Sequence, residues 1–237
     1  SQVSTLFNFG TPETNISFNP VAWWKLDDQN AITDSSGNGN TGTNNGATDA
    51  TTSVAVVPSW KIPSALPITT TPNYTTAMRT SGLVEVYTEY PTSLYDEIKD
   101  TNIFTISTWV NFTTNTYFYK PIIAGNNNTS DILIVWSNGN LNVTRGGVGG
   151  GIGITFPNPP KNRWYNLTFV FTSATNVDNY VDGKPIGSST VAATVNTTTS
   201  LRLNDSTYTS AELYQSNFMV WDNKSLTASE VDTVFNN

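Results

Sequence analysis

The chain of 237 residues contains no cysteine and no histidine. These absences exclude Ser-His and Cys-His nucleophile pairs, thiolate chemistry, and zinc sites with His or Cys ligands. No disulfide can form, so the packing of the core has to hold the fold together. Charged residues are scarce, at 12%. Apolar runs such as residues 132–136 are far too short to cross a membrane, so we expect no membrane insertion.

Basic residues are scarcer than acidic ones. The chain has 11 basic and 18 acidic residues, which gives a net charge of −7. Binding to a phosphate backbone or to an anionic membrane surface needs clustered Lys and Arg. We therefore expect no nucleic-acid partner. No stretch of basic and then apolar residues opens the chain, so we expect no signal peptide.

Small polar residues and aromatic residues are abundant. The chain has 38 Thr, 29 Asn and 22 Ser, and aromatic residues make up 12%. Disordered chains are poor in aromatic residues, so this composition favours a folded domain with polar loops. A chain of this length can bury a sizeable core, and all-β sandwiches often use it as one domain.

Alternating apolar and polar residues predict β-strands over most of the chain after Val21. Strands are predicted over 104–112, 164–171 and 213–221. Asn138-Gly139 and Asp182-Gly183 are typical of tight hairpin turns. The predicted core-facing residues are Phe104, Ile106, Val110, Phe112, Tyr165, Leu167, Phe169, Phe171, Phe218 and Val220.

A helix is predicted at the end of the chain. Thr227 and Glu230 have the spacing of a capping box, and Leu226 and Val231 that of a hydrophobic staple. The whole pattern predicts an all-β, antiparallel β-sandwich with a short C-terminal helix. We divide the chain into an N-terminal arm at 1–15 and one domain over 16–237. The Thr- and Pro-rich residues 44–80 are expected to form a long loop or lid.

Several of these segments, taken in order, resemble the laminin-G-like domains of the concanavalin A-like jelly rolls. The segments that carry the resemblance are 22–27, 34–42, 104–110, 164–169, 180–184 and 226–230. The resemblance implies a jelly roll that binds sugars, binds protein ligands or serves as a structural appendage, in some members with calcium at the sheet rim. In many members an Asp-Glu pair begins the last strand, where this chain has Ser216-Asn217. The opening segment, together with 59–66 and 71–76, is similar to virion proteins of marine bacteriophages.

Hydrolysis of glycosides is the enzymatic alternative, since sandwich relatives include glucanases. A retaining glycosidase needs two carboxyl groups about 5–5.5 Å apart. The best pair, Glu85 and Glu89, would have Cα atoms roughly 13–14 Å apart on one extended strand. The glucanase-like Glu-x-Asp-x-Glu array is also absent, so we predict that the protein is not an enzyme.

Oxygen-rich loops provide the candidate calcium ligands, which are Asp34, Asn38, Asn40 and Asp205. The spacing of a calcium-binding loop is missing, however, and Asx turns explain the same residues. We expect no other cofactor. The candidate glycan-binding residues combine aromatic rings with nearby amides, and they are Tyr117, Tyr119, Asn126, Asn127, Trp136 and Asn138. The same aromatic residues would serve equally well in the core.

The predicted function is a lectin-like structural or recognition module on the surface of a virion, as a capsid decoration or fibre. It would join other virion proteins through its N-terminal arm and contact cell-surface glycans. The alternative is a secreted, extracellular bacterial carbohydrate-binding or adhesion module. A glycoside hydrolase is the third and weakest interpretation.

Overall fold

A computed structural model describes residues 18–26, 28, 30–50, 77–80, 87–89, 94, 98, 101–112, 120–125, 133–137, 140–144, 154–155, 164–191, 201–203 and 213–236. Its early strands are β1 (Ala22–Trp24), β2 (Thr43–Asn45), β3 (Thr48–Ala50), β4 (Ala77–Thr80) and β5 (Tyr87–Glu89). The middle of the chain has β6 (Phe104–Phe112), β7 (Lys120–Gly125), β8 (Leu133–Ser137), β9 (Asn140–Thr144) and β10 (Ile154–Thr155). The rest has β11 (Trp164–Phe171), β12 (Asn176–Val181), β13 (Lys184–Thr190), β14 (Leu201–Leu203), β15 (Leu213–Asp222) and helix α1 (Ala228–Asn236).

The strands form two antiparallel sheets. The first has the order β13-β12-β11-β6-β15-β4-β3, and β1 also pairs with β15. The second has the order β10-β9-β8-β7-β14-β5-β2. This arrangement confirms the predicted antiparallel β-sandwich with a C-terminal helix.

The main core lies between the two sheets. Side chains from β6, β11 and β15 contact side chains from β8 and β9. Phe104 and Phe171 stack with ring centroids 4.0 Å apart. The buried residues that confirm the predicted core faces are Phe104, Ile106, Val110, Tyr165, Leu167, Phe169, Phe171, Phe218 and Val220.

Helix α1 covers the outer face of the first sheet, so every residue of β11 is buried. Val231 and Val234 pack with Met219 and Trp221, in a cluster that also contains Leu226. The predicted capping box is confirmed. The Thr227 N–H donates to Glu230 Oε2 at 2.8 Å, and the Glu230 N–H donates to Thr227 Oγ1 at 3.3 Å.

Both predicted hairpins are present. Ser137 of β8 pairs with Asn140 of β9, which leaves a connection of two residues. Asp182 and Gly183 join β12 to β13 with φ angles of 51° and 71°. Positive φ at both positions defines the type I′ turn that suits the twist of paired strands.

A bulge in β15 was not predicted, and it explains the core pattern of that strand. The pairing with β6 shifts between Ser216 and Met219, and Asn217 has a φ of 46°. One extra residue changes the phase of the alternation. Before the bulge, Gln215 lies opposite the core residue Val110. After the bulge, the core-facing residues are Phe218 and Val220, which an unbroken alternation from Gln215 would place on the other face.

The prediction of a long loop over 44–80 is wrong at both ends, because β2, β3 and β4 lie there. The Asn44 side chain closes the turn between β2 and β3 through two hydrogen bonds with the Ala47 backbone, at 2.8 and 2.9 Å. The chain crosses there from the second sheet to the first. Such short edge strands leave little periodic signal in a sequence.

Helical backbone also occurs outside α1, which was not expected. Leu94 and Ile98 are helical, and both are buried in the core.

The arm at 1–15 lies outside the described residues. Within the described part of the chain, no helix combines the length and the hydropathy of a membrane span.

Candidate functional site

Strand β1 and the loop after it form one rim of the first sheet. One edge of β1 pairs with β15, with Trp24 opposite Phe218. The other edge faces the loop at 34–40. The Trp23 N–H donates to Asp34 Oδ1 at 2.9 Å, and the Trp23 carbonyl accepts a hydrogen bond from the Ser35 N–H at 2.6 Å. The loop therefore takes the place of a neighbouring strand.

The carboxylate of Asp34 organises this loop. Its Oδ1 also accepts from the Ser36 N–H at 2.9 Å. Its Oδ2 accepts from Ser36 Oγ at 2.8 Å and from the Asn40 N–H at 3.0 Å. Burial raises the pKa of Asp34, but the hydrogen bonds from Trp23, Ser36 and Asn40 outweigh burial and hold this pKa below its ordinary value. Asp34 is therefore an ionised acceptor at neutral pH.

The amides of Asn38 and Asn40 bind the backbone at Val21, which directly precedes β1. Their Nδ2 atoms donate to the Val21 carbonyl at 3.0 and 2.9 Å. The Asn40 carbonyl accepts from Trp24 Nε1 at 2.7 Å. The structure thus brings together three of the four predicted calcium ligands, and Asp205 lies outside the described residues.

The hydrogen bonds of this loop favour the Asx-turn explanation over a calcium site. Calcium takes six to eight oxygen ligands in proteins. Here both oxygens of Asp34 already accept hydrogen bonds, and the side chains of Asn38 and Asn40 present NH₂ groups to Val21. Across the described ranges, no group of three or more Asp and Glu residues could hold a metal ion. These contacts match the Asx-turn explanation, and calcium binding stays a prediction.

An open cleft of about 360 Å³ lies beside the end of β1. Its lining combines a cation, a carboxylate, two hydroxyls and two small apolar surfaces. These residues are Lys25, Asp28, Thr33, Ser35, Leu26 and Ala31. Next to it, Lys25 Nζ lies 5.3 Å from the centroid of the half-buried Trp23 ring. The cleft therefore offers hydrogen-bonding groups close to an aromatic side chain.

The bulge in β15 fixes the wall of this cleft. The Asn217 N–H and Ser216 Oγ both donate to the Lys25 carbonyl, at 3.0 and 3.1 Å. Trp23 Nε1 donates to Asn217 Oδ1 at 3.3 Å. The Ser216-Asn217 pair thus holds the backbone of Lys25.

Sequence reasoning missed the cleft residues Lys25, Asp28 and Thr33. Asp28 accepts hydrogen bonds from the backbone and the side chain of Asn30, at 2.8 and 3.1 Å. That contact is a local Asx turn, which a sequence shows only as Asp-x-Asn. The sequence signal that could have pointed to the cleft is the Trp-Trp-Lys segment followed by a run of turn-forming residues.

Most of the predicted glycan-binding residues, namely Tyr117, Tyr119, Asn126, Asn127 and Asn138, lie outside the described residues. Trp136 is in β8, where its backbone lies between Lys120 and Leu141. Strand β7 begins at Lys120 and ends at Gly125, which places its ends roughly 17 Å apart at about 3.4 Å per residue. Tyr119 precedes one end in sequence and Asn126 follows the other. The glycan site proposed from these residues stays a prediction.

In a comparison with protein families, the model described as the concanavalin A-like lectin/glucanases superfamily matches residues 87–232, more than half of the chain. A search of curated proteins gave no significant match.

Solved structures with the same fold include two binding domains and a structure of a botulinum neurotoxin. The binding domain of Paraclostridial mosquitocidal protein 1 has a TM-score of 0.67 at 14% identity, covering 93% of this chain and 52% of that one. The receptor-binding domain of botulinum neurotoxin D has a TM-score of 0.67 at 13% identity, covering 93% and 53%. A botulinum neurotoxin type C structure, described as depending on two ganglioside molecules to enter cells, has a TM-score of 0.66 at 16% identity, covering 95% and 53%. The chain spans about half the length of these structures, and at such identities the likeness shows the fold alone.

Proposed function

Because the chain belongs to the concanavalin A-like lectin/glucanases superfamily, we propose that it is a non-catalytic recognition module that binds a glycan in the cleft beside β1. The mixed lining of the cleft next to Trp23 carries this proposal. Sugars present hydroxyl groups that suit Lys25, Asp28, Thr33 and Ser35. They also present apolar ring faces that suit an aromatic side chain.

The hydrogen bonds that hold Trp24 and Lys25 in place support the same proposal. Trp24 is fully buried, and its indole holds the Asn40 carbonyl. Two hydrogen bonds from β15 hold the Lys25 carbonyl. A site fixed in this way loses little conformational freedom when a ligand binds, which favours affinity.

The carboxylates of the described residues favour binding over hydrolysis. Among the described residues that line the cleft, Asp28 is the only carboxylate. Asp34 is committed to the four hydrogen bonds of its loop. Glu89 lies in β5 of the second sheet, opposite Thr43 and Arg202, and Glu85 lies outside the described residues. A glycosidase needs two carboxyl groups that face one sugar, and this cleft lacks such a pair in its described lining.

A glycan array with the full chain, followed by calorimetry on the best ligand, tests the proposal. Thr33→Val removes one hydroxyl with little change in shape, and Lys25→Met removes the ammonium group. A lost hydrogen bond of about 1–1.5 kcal/mol corresponds to a roughly tenfold weaker affinity for each variant. Thr190→Val on exposed strand β13 is the matched control and should bind like the parent chain. If no glycan binds, or if both cleft variants bind like the control, the proposal is wrong.

We also propose that the module is displayed on a virus particle, attached to other virion proteins by residues 1–15. The acidic composition and the resemblance to marine bacteriophage virion proteins that the sequence suggests in its opening segment, 59–66 and 71–76 are the grounds for this location. Deleting residues 1–15 should then abolish attachment to the particle. Electron microscopy of the native assembly would show the chain on the particle, whereas a free monomer in the culture supernatant would contradict the proposal.

A secreted bacterial adhesion or carbohydrate-binding module is the second candidate. Two similar structures favour it, because one is described as the receptor-binding domain of botulinum neurotoxin D and another as the binding domain of botulinum neurotoxin DC in complex with SialylT. Under this alternative, deleting residues 1–15 leaves glycan binding unchanged and no particle carries the chain.

A further inference from the structure

We infer that Asn38 is a site of spontaneous chemical modification, at which the side-chain amide is lost through ring closure with Gly39. Both residues are exposed on the loop at 34–40. Ring closure requires the backbone nitrogen of the next residue to reach the Asn38 side chain. Gly39 has a φ of 80°, and a Cβ placed there would meet no atom within 4 Å. Gly39 has no Cβ, and no packed neighbour lies where one would be, so nothing there obstructs this approach.

The reaction needs only water as a co-reactant. The Gly39 backbone nitrogen gives its proton to solvent base and attacks Cγ of Asn38. A bond from nitrogen to Cγ forms, the bond from Cγ to Nδ2 breaks, and ammonia leaves. Water then opens the five-membered imide at either carbonyl, which yields aspartate or isoaspartate without oxidation or reduction.

The hydrogen bonds that oppose ring closure at Asn38 are side-chain contacts at an exposed loop. Asn38 Nδ2 donates to the Val21 carbonyl at 3.0 Å and to Ser36 Oγ at 3.2 Å, and it lies 3.5 Å from the Pro20 carbonyl. The Asn38 N–H donates to Ser36 Oγ at 3.3 Å. Exposed contacts of this kind open locally at much lower free-energy cost than paired strands do.

The chain contains an internal comparison at Asn45-Gly46. Asn45 lies in β2, paired with Tyr87 of β5. Gly46 lies inside the turn that Asn44 closes on Ala47. Ring closure at Asn45 would have to disturb both the strand pairing and this turn, so the same dipeptide should react more slowly there.

The modification would change the rim of β1. An NH₂ group that donates to Val21 would become a carboxylate oxygen facing the same carbonyl. The new negative charge would also share the loop with the ionised carboxylate of Asp34. The backbone at Val21, next to β1, would therefore lose one of its hydrogen bonds.

Incubation of the full chain at 37 °C and mildly alkaline pH, with peptide mapping over time, tests the inference. Trypsin releases residues 26–61 as one peptide that carries both Asn-Gly pairs, and fragmentation by electron transfer assigns the loss and identifies isoaspartate. We expect Asn38 to lose its amide several-fold faster than Asn45. Equal rates, a faster loss at Asn45, or an intact Asn38 would overturn the inference.

Two variants separate the chemistry from its structural effect. Gly39→Ala should slow the loss at Asn38 several-fold and leave Asn45 unchanged, since the added methyl group hinders ring closure. The methyl group meets no neighbour but is strained at a φ of 80°, so Gly37→Ala, with a φ of 87° and equally open surroundings, is the matched control and should not slow the loss. An unchanged rate at Asn38 would overturn the inference. Asn38→Asp imitates the aspartate product and should lower the melting temperature by about 2–4 °C, as a loss of stability near 1 kcal/mol does in a chain of this size. An unchanged melting temperature would contradict the effect on the rim.

Discussion

Asp34 Oδ1 accepts a hydrogen bond from the main-chain N–H of Trp23 at 2.9 Å. Trp23 lies in the middle of β1, whose other edge pairs with β15. A main-chain N–H that is shielded from water and left unpaired costs free energy comparable to a lost hydrogen bond. The Asp34 carboxylate therefore accepts a main-chain hydrogen bond that a neighbouring strand would accept elsewhere in the sheet.

Asp34→Asn should lower the free energy of unfolding by about 1–3 kcal/mol, measured by urea denaturation. The substitution keeps the shape of the side chain but replaces one carboxylate oxygen with an NH₂ group. That group cannot accept the hydrogen bonds that the oxygen accepts in the parent chain. Asp28→Asn is the matched control, because Asp28 is exposed and, among the described residues, its carboxylate accepts hydrogen bonds from Asn30 alone. A loss in Asp34→Asn no larger than that of the control would show that the loop does not depend on the carboxylate.

The stabilisation by Asp34 should also depend on pH. Burial raises the pKa of Asp34, but its hydrogen bonds outweigh burial and bring the pKa below the ordinary value of 3.8. The stabilisation is fully present above that value and is lost as the pH falls through the lower pKa of the folded state. The difference in urea midpoint between the parent chain and Asp34→Asn should be constant near neutral pH and shrink below about pH 4. A difference that grows in acid would contradict this assignment.

Gly183→Ala should destabilise the chain through two separate effects. Gly183 has a φ of 71°, and a Cβ there would lie 2.9 Å from Phe235 Cδ1 of helix α1. Gly37→Ala is the control, since Gly37 has a φ of 87° and no atom within 4 Å of such a Cβ. The conformational effect costs about 1–2 kcal/mol in both variants, and the collision adds about 1–3 kcal/mol in Gly183→Ala alone. Equal melting temperatures for the two variants would mean that the helix moves away freely.

Thr227→Ala should lower the free energy of unfolding by about 1 kcal/mol, because it removes the side-chain cap of α1. The lost contact is the hydrogen bond from the Glu230 N–H to Thr227 Oγ1. Thr233→Ala in the same helix should change stability by less than about 0.5 kcal/mol. Chemical denaturation of both variants checks this difference, and a larger effect at Thr233 would contradict the role of the cap.

The long strands could be read from the sequence because burial repeats at every second residue. Strand β6 has the predicted bounds, and its Phe104, Ile106 and Val110 face the core. The hairpin at Asp182-Gly183 and the capping box at Thr227 were also predictable. Each of these signals depends on residues that are close together in the chain.

The cleft, and the hydrogen bonds between β1 and the loop at 34–40, could not be predicted in this way. They depend on contacts between distant residues, such as the Asn217 N–H with the Lys25 carbonyl. The sequence marked Asp34, Asn38 and Asn40 as oxygen-rich, which suits a metal site and an Asx turn equally well. The structure adds the direction of their donors and acceptors, which follows from where Val21 and Trp23 lie.

By itself, the sequence determined the class of fold and excluded chemistry that needs histidine or cysteine, since alternation and composition are local properties of the chain. Only the tertiary structure decided how the many small polar residues are used. At the rim of β1 their oxygens and amides cover a strand edge, and beside it the same residue types line an open cleft. The difference arises because a hydrogen-bonding group takes its role from the partner that folding brings to it.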